Sequence, residues 1–236
     1  VFGKIYQSAR QAGSLRYVSQ ASSLPCKQNP LKISYLRLNN IRAYSRDSWE
    51  KSPVNSQLKH LLEEYAALER GVQELVSAQC REVCELCTAC CCRADLCEEA
   101  LESPFLRAVH GKDELDSDRY GFLTETGCAL ETGRPPVCYE FFCDELQAAQ
   151  PDELHRSVLL ILGRLPAYAG EKAHGDAHLA EIMQAEELDH LAFQRLEKQM
   201  QNAREALDCI RAFYNDGTLP EHSRKVLSRI TASTEN

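Results

Sequence analysis

The apolar positions of the chain fall into runs spaced by three and four residues, the period of α-helices with one buried face. Leu58, Leu61, Leu62, Tyr65, Leu68, Val72, Leu75 and Val76 make the first run. Ser52-Pro53 marks its start, because proline in the first helical turn loses no hydrogen bond and presets φ. Lys59, Glu63, Glu64, Glu69 and Arg70 read as its solvated face, and the run leads straight into Cys80. Residues 93–110 continue the helical pattern with a break at Ser103-Pro104. Residues 112–119 read as a polar loop. The stretch 120–136 carries Gly121, Gly127, Gly133 and Pro135-Pro136, which suits a short hairpin or an irregular loop. Residues 137–147 suit a short helix.

Pro151-Asp152 opens a further helix with Leu154, Val158, Ile161, Leu162 and Leu165 inward, and Pro166 is expected to end it. The last long element is predicted from about Gly175 to Tyr214. Within it Phe193, Leu196, Met200, Ala203, Leu207, Ile210 and Tyr214 form a seam. Packing of that seam onto the first helix of the same chain is the expected use; a helical protein partner or self-association is the other. Asn215-Asp216-Gly217 is a stop signal, followed by a short terminal helix and a polar tail. The pattern predicts a mainly α protein. It combines a small loop-rich cysteine metal-binding centre with a long C-terminal helix, in three parts: 1–50, 52–148 and 151–236.

Charge changes the picture at the N-terminus. Residues 1–46 hold eight Lys/Arg and no Asp/Glu, whereas residues 47–236 hold 19 basic and 35 acidic residues. Three readings of residues 1–50 stand side by side: a disordered segment, an acid-free targeting peptide, or sequence outside the natural start. The acidic remainder argues against a nucleic-acid partner. No run of eighteen apolar residues predicts a transmembrane helix. With no apolar secretory stretch, the expected place is the cytoplasm, or an organelle matrix if residues 1–46 are a targeting peptide. In a reducing compartment, clustered thiols read as ligands before they read as disulfides.

Those thiols are dense. Of twelve cysteines, seven lie between Cys80 and Cys97, and Cys128, Cys138, Cys143 and Cys209 follow. Cys84-x2-Cys87 lets two thiolates reach one ion, and Cys87-x2-Cys90 repeats the bite. Cys80, Cys84, Cys87 and Cys91 also fall on one face of a continuing helix, a packing reading that leaves Cys90 and Cys92 unexplained. Neighbouring side chains rarely aim at one ion, so Cys90 and Cys91 are expected to diverge. That allows two sites, or one site plus redox thiols. Arg134 beside thiolates would offset their charge, or else sit exposed on its turn.

Cys84-Glu-Leu-Cys87-Thr-Ala-Cys90-Cys91, followed by Cys128 and by Arg134-Pro135-x2-Cys138-Tyr-Glu-Phe141, resembles the YkgJ-type cysteine-cluster family, described as zinc- or iron-chelating. The resemblance covers about residues 80–145. It implies a chelating set of Cys84, Cys87, Cys90, Cys91, Cys128 and Cys138, with Cys143 as an additional ligand. It departs from the family pattern in lacking a Cys near Phe122 and in carrying Tyr139 where Arg is common. Cys80, Cys92 and Cys97 are extra to the motif.

The expected function is chelation of zinc or an iron–sulfur cluster by a non-catalytic carrier, sensor or structural module. Two alternatives remain: an iron–sulfur-dependent redox or radical enzyme, and a helical interaction protein with a structural zinc. No catalytic residue is assigned. Glu187-x2-His190 and the pair His174 and His178 read as a solvated acidic face, since a di-iron bundle needs a second ExxH.

Overall fold

The structure, a computed structural model, describes residues 53–87, 91–92, 94–112, 114, 121–124 and 127–232. Residues 1–50, Cys26 and Cys90 lie outside them. The described chain is mainly helical, with one two-stranded ribbon.

Helix α1, Pro53–Cys84, is 32 residues long. That is about 48 Å at 1.5 Å per residue. Leu58, Leu61, Tyr65, Leu68 and Val72 on its inner face are buried. Two short helices, α2 (Ala94–Glu102) and α3 (Pro104–His110), meet at Ser103, whose hydroxyl caps α3 by accepting from the Leu106 N–H. Strands β1 (Leu123–Thr124) and β2 (Gly127–Cys128) pair antiparallel, with Leu123 opposite Cys128. Then come α4 (Val137–Glu140), α5 (Asp144–Ala148), α6 (Glu153–Gly170), α7 (Phe193–Asp216) and α8 (Glu221–Ala232).

Helices α1, α6 and α7 pack on one another, and α8 covers α6 and α7. Their apolar faces form one core, so residues 52–148 and 151–236 share it. Each fully buried Leu there contributes about 1.5–3 kcal/mol of transfer free energy. Tyr65 meets Phe105 of α3 edge to face at 5.1 Å. The seam of α7 is covered within the chain: Leu196, Met200, Ala203, Leu207 and Ile210 are all buried. Among the described residues no helix is long and apolar enough to cross a membrane.

Three elements differ from the sequence expectation. Pro166 does not end its helix; α6 continues to Gly170. A proline inside a helix costs about 3 kcal/mol. Here Leu165 to Gly170 are all buried, and the Tyr65 hydroxyl donates to the Pro166 carbonyl at 3.4 Å. Packing outweighs propensity. The long element begins at Phe193 rather than near Gly175. Before it, Leu179–Glu181 and Ala185–His190 are separate 3₁₀ turns. Glu181 accepts from the His178 N–H, and Glu187 from the Gln184 N–H, three residues back in each case. Those carboxylates close the turns on themselves. His174 sits in a bridged turn with Ala177, so the two histidines do not share a helix face. Residues 137–147 form two short helices, with the break at residues 141–143.

Candidate metal centre

Helix α1 delivers the first thiols. Val72, Val76 and Cys80 follow one another at intervals of four along one helix face. Cys80 is buried in the main core, its thiol is hydrogen-bonded to that of Cys84 one turn later, and Tyr214 of α7 lies beside it. Past Cys84 the chain turns, and the Cys87 N–H donates to the Cys84 carbonyl at 3.3 Å. That turn leaves Leu86 86% exposed between two exposed thiols. Cys91 and Cys92 follow, exposed as residues but with sulfurs partly shielded from water by the surrounding chain.

A second, smaller core lies nearby. Cys97 of α2 is buried with Ala100, Phe122 and Leu130, and Cys128 of β2 packs against the same group. Cys138 is carried by α4, which sits on α6. Gly163 makes that approach possible, since a Cβ there would meet the Tyr139 carbonyl oxygen at 2.3 Å. Arg164 reaches back from α6 to Glu140 at 2.8 Å. Cys143 opens α5 and packs, half-buried, on the main core.

The segment between Cys128 and Cys138 is held by a residue assigned above to the solvated face. Glu69 has no exposed surface. Its carboxylate accepts from the Gly133 N–H at 2.5 Å and from the Arg134 N–H at 3.2 Å. Gly133 takes φ +73°, and a Cβ there would lie 2.7 Å from the Leu106 carbonyl oxygen, so only glycine fits. The Arg134 guanidinium donates to the Leu130 carbonyl through Nε (2.8 Å) and Nη2 (2.5 Å). These bonds close the turn and go to a carbonyl, where the sequence had suggested sulfur. Gln73 completes the clasp when its amide oxygen faces Arg134 Nη2 (2.6 Å) and its nitrogen faces the Glu131 carbonyl (2.8 Å). Arg134 also lies 6.0 Å from the Tyr139 ring centroid. The buried Tyr139 hydroxyl faces the Glu69 carboxylate and favours its charge. The sequence did carry a signal for Glu69: Tyr65, Glu69, Val72 and Val76 keep the apolar spacing of four, three and four.

The thiols are raised by burial and by one another. Burial pushes Cys80 up to about 12, and the charges of Cys84, Cys143 and Cys91 add to it. Burial pushes Cys91 up to about 11, helped by Cys143, Cys87 and Cys84. Cys84 is raised by burial, then by Cys143 and Cys87. Burial pushes Cys138 up to about 12, with Cys128 and Cys92 adding and Arg134 opposing. Cys92 is raised by burial and by Cys128, again against Arg134. Isolated thiols in this state are neutral at pH 7 and weak nucleophiles.

Sequence reasoning placed Cys84, Cys87, Cys90, Cys91, Cys128, Cys138 and Cys143 in one set. The charges of Cys143 and Cys87 act on Cys84 and Cys91, and that of Cys128 acts on Cys92 and Cys138, with Cys92 acting on Cys91 as well. Among the described residues, no three His, Cys, Asp or Glu side chains stand close enough to hold one ion. The donors fit a thiophilic metal in type, because a bound cation stabilises the thiolates that burial first, and neighbouring thiols second, disfavour. They fit in geometry only if the thiols draw together as the ion binds.

No family model matches the chain, and neither a curated protein nor a solved structure shows significant similarity to it.

Proposed function

We propose that the chain is a metal-binding protein that chelates zinc or an iron–sulfur cluster through its clustered cysteines, without catalysis of its own. One observation carries this reading. Cys80, Cys84, Cys91, Cys138 and their neighbouring thiols Cys87, Cys128 and Cys143 act on one another, with deprotonation opposed first by burial and then by each other. A nucleophilic or redox cysteine is built the other way, in an electropositive setting that favours the thiolate. A soft cation suits such donors, and a coordinating thiol is deprotonated outright. The resemblance of residues 84–91 and 128–141 to the YkgJ-type pattern points to the same chemistry. Cys84, Cys87, Cys91, Cys128, Cys138 and Cys143 are the thiols assigned to chelation.

The test is elemental analysis and visible absorption of the full chain purified anaerobically from zinc- and iron-replete cells. Stoichiometric zinc in a colourless protein, or iron with sulfide absorption, is the expected outcome. A protein that carries neither metal, and takes up neither when they are added under reducing conditions, overturns the reading.

A further inference from the structure

The inner face of α1 is apolar on either side of position 69, at Tyr65, Leu68 and Val72. Glu69 interrupts it with a carboxylate that has no exposed surface. Burying that group costs free energy unless donors compensate, and the donors come from one stretch, residues 133–139. Gly133 and Arg134 donate their N–H groups at 2.5 and 3.2 Å, and the Tyr139 hydroxyl faces the same carboxylate. Cys138 lies inside that stretch. Its N–H donates to the Pro135 carbonyl at 2.9 Å, next to the clasped Arg134, and the Tyr139 N–H donates to the Pro136 carbonyl at 2.9 Å. Beyond it, Tyr139 rests on Gly163, and Glu140 is paired with Arg164. Cys138 is thus fixed from both sides by groups none of which is a thiol. The same contacts hold the Arg134 guanidinium on the Leu130 carbonyl, where its charge favours the Cys138 thiolate.

We propose that Glu69 is a positioning residue of the candidate metal centre: its carboxylate seats the Gly133-Arg134 turn and α4 on α1, and so sets where the Cys138 sulfur stands. The purpose of this device rests on the chelation reading above; its geometry does not. Two successive N–H groups, the first from a glycine at φ +73°, form a concave anion seat. Glu69 is the anion built into that seat. A side chain that merely filled the face of α1 would need no such match to the turn. A ligand fixed in advance loses less freedom when an ion binds, so its mount raises affinity without touching the metal.

The experiment follows alkylation of the reduced, metal-free full chain by iodoacetamide, residue by residue, with mass spectrometry. In the wild type the Cys138 sulfur is shielded by the surrounding chain and should react slowly. Glu69→Ala should speed Cys138 about tenfold while Cys80, buried in the main core, stays slow. Acetate, but not chloride at equal strength, should restore the wild-type rate by refilling the anion seat. Glu69→Gln keeps the shape and should speed Cys138 by a smaller factor, with no response to acetate. An unchanged Cys138 rate, or a raised one that acetate does not lower, in a Glu69→Ala chain that keeps Cys80 slow overturns the proposal. If Glu69→Ala fails to fold, Cys80 reacts too, and Glu69→Gln decides. Equal acceleration of Cys80 and Cys138 in Glu69→Gln makes Glu69 a support of the fold alone, against the proposal. A second arm titrates wild type and Glu69→Gln with Co(II) at one pH. The variant should bind about tenfold more weakly, and equal affinity rejects the positioning role. A wild type that binds no cobalt defeats the chelation reading instead, and the alkylation arm still decides whether Glu69 places Cys138.

Discussion

A carboxylate with no exposure to water, such as Glu69, must be compensated or protonated. Burial pushes it up from 4.5 to about 7, against the Gly133 N–H, the Tyr139 hydroxyl, the Arg134 N–H and the Arg134 guanidinium, which all favour its charge. A folded-state value above the unfolded one means that folding takes up a proton. The stabilisation is therefore complete below about pH 4.5, declines from there to about 7, and is absent above. Its size is about 3 kcal/mol across that window. Glu69→Gln should remove this pH dependence. It should also lower stability at pH 8 by about 1–3 kcal/mol, because the amide nitrogen must face one of the two N–H groups. Urea unfolding of both proteins at pH 5 and pH 8, with chelator and reductant present, measures the difference. Cys80, Cys84 and Cys91 are raised further from that range by burial; the wild type should lose about 3 kcal/mol more than the variant. Equal losses in the two proteins would mean that Glu69 is charged throughout.

The seam of α7 gives the clearest expectation among the elements. Leu196 and Leu207 are buried between α7 and its neighbours within the chain. An Asp at either site puts a carboxylate in the core, at a cost of about 4 kcal/mol or more. Leu196→Asp and Leu207→Asp should lose helical circular dichroism, or melt far below the wild type. A folded monomer of unchanged melting temperature would instead make the seam a docking surface. The three- and four-residue spacing made this helix, α1 and α8 legible in the sequence, because burying one face sets the period. The rest was hidden for separate reasons. Glu69 keeps the apolar spacing but carries a charge, so spacing and chemistry pointed opposite ways. Pro166 breaks a local rule that tertiary packing overrides. Glu181 and Glu187 look like helix-surface carboxylates, yet they bond to their own backbone and divide residues 179–190 into turns. The cysteine motif showed which residue types would gather at the end of α1.

At the scale of the molecule, order is unevenly distributed between the two ends of α1. The end around Leu58 to Val72 is part of a core shared with α6, α7 and α8. The end around Cys84 faces thiols on loops and short helices, backed by a small core of Cys97, Ala100, Phe122 and Leu130. Four residues of that size bury too little apolar surface to order the segments around them. On the chelation proposal, metal binding would be the main source of local stability at this end, while α6 to α8 would stand without it. Amide hydrogen exchange of the loaded and the chelator-treated protein tests this. Removing the metal should speed exchange in residues 85–145 by several orders of magnitude and leave residues 153–232 slow. The Glu69 clasp sets where the loss should stop, because Gly133 and Arg134 are anchored to α1 by a carboxylate and not by a thiol. Their amides should retain protection that Cys128 and Cys138 lose. Uniform acceleration along the chain would show that the thiol end and the helical core unfold as one unit. No change anywhere would show that the small core, without metal, is enough.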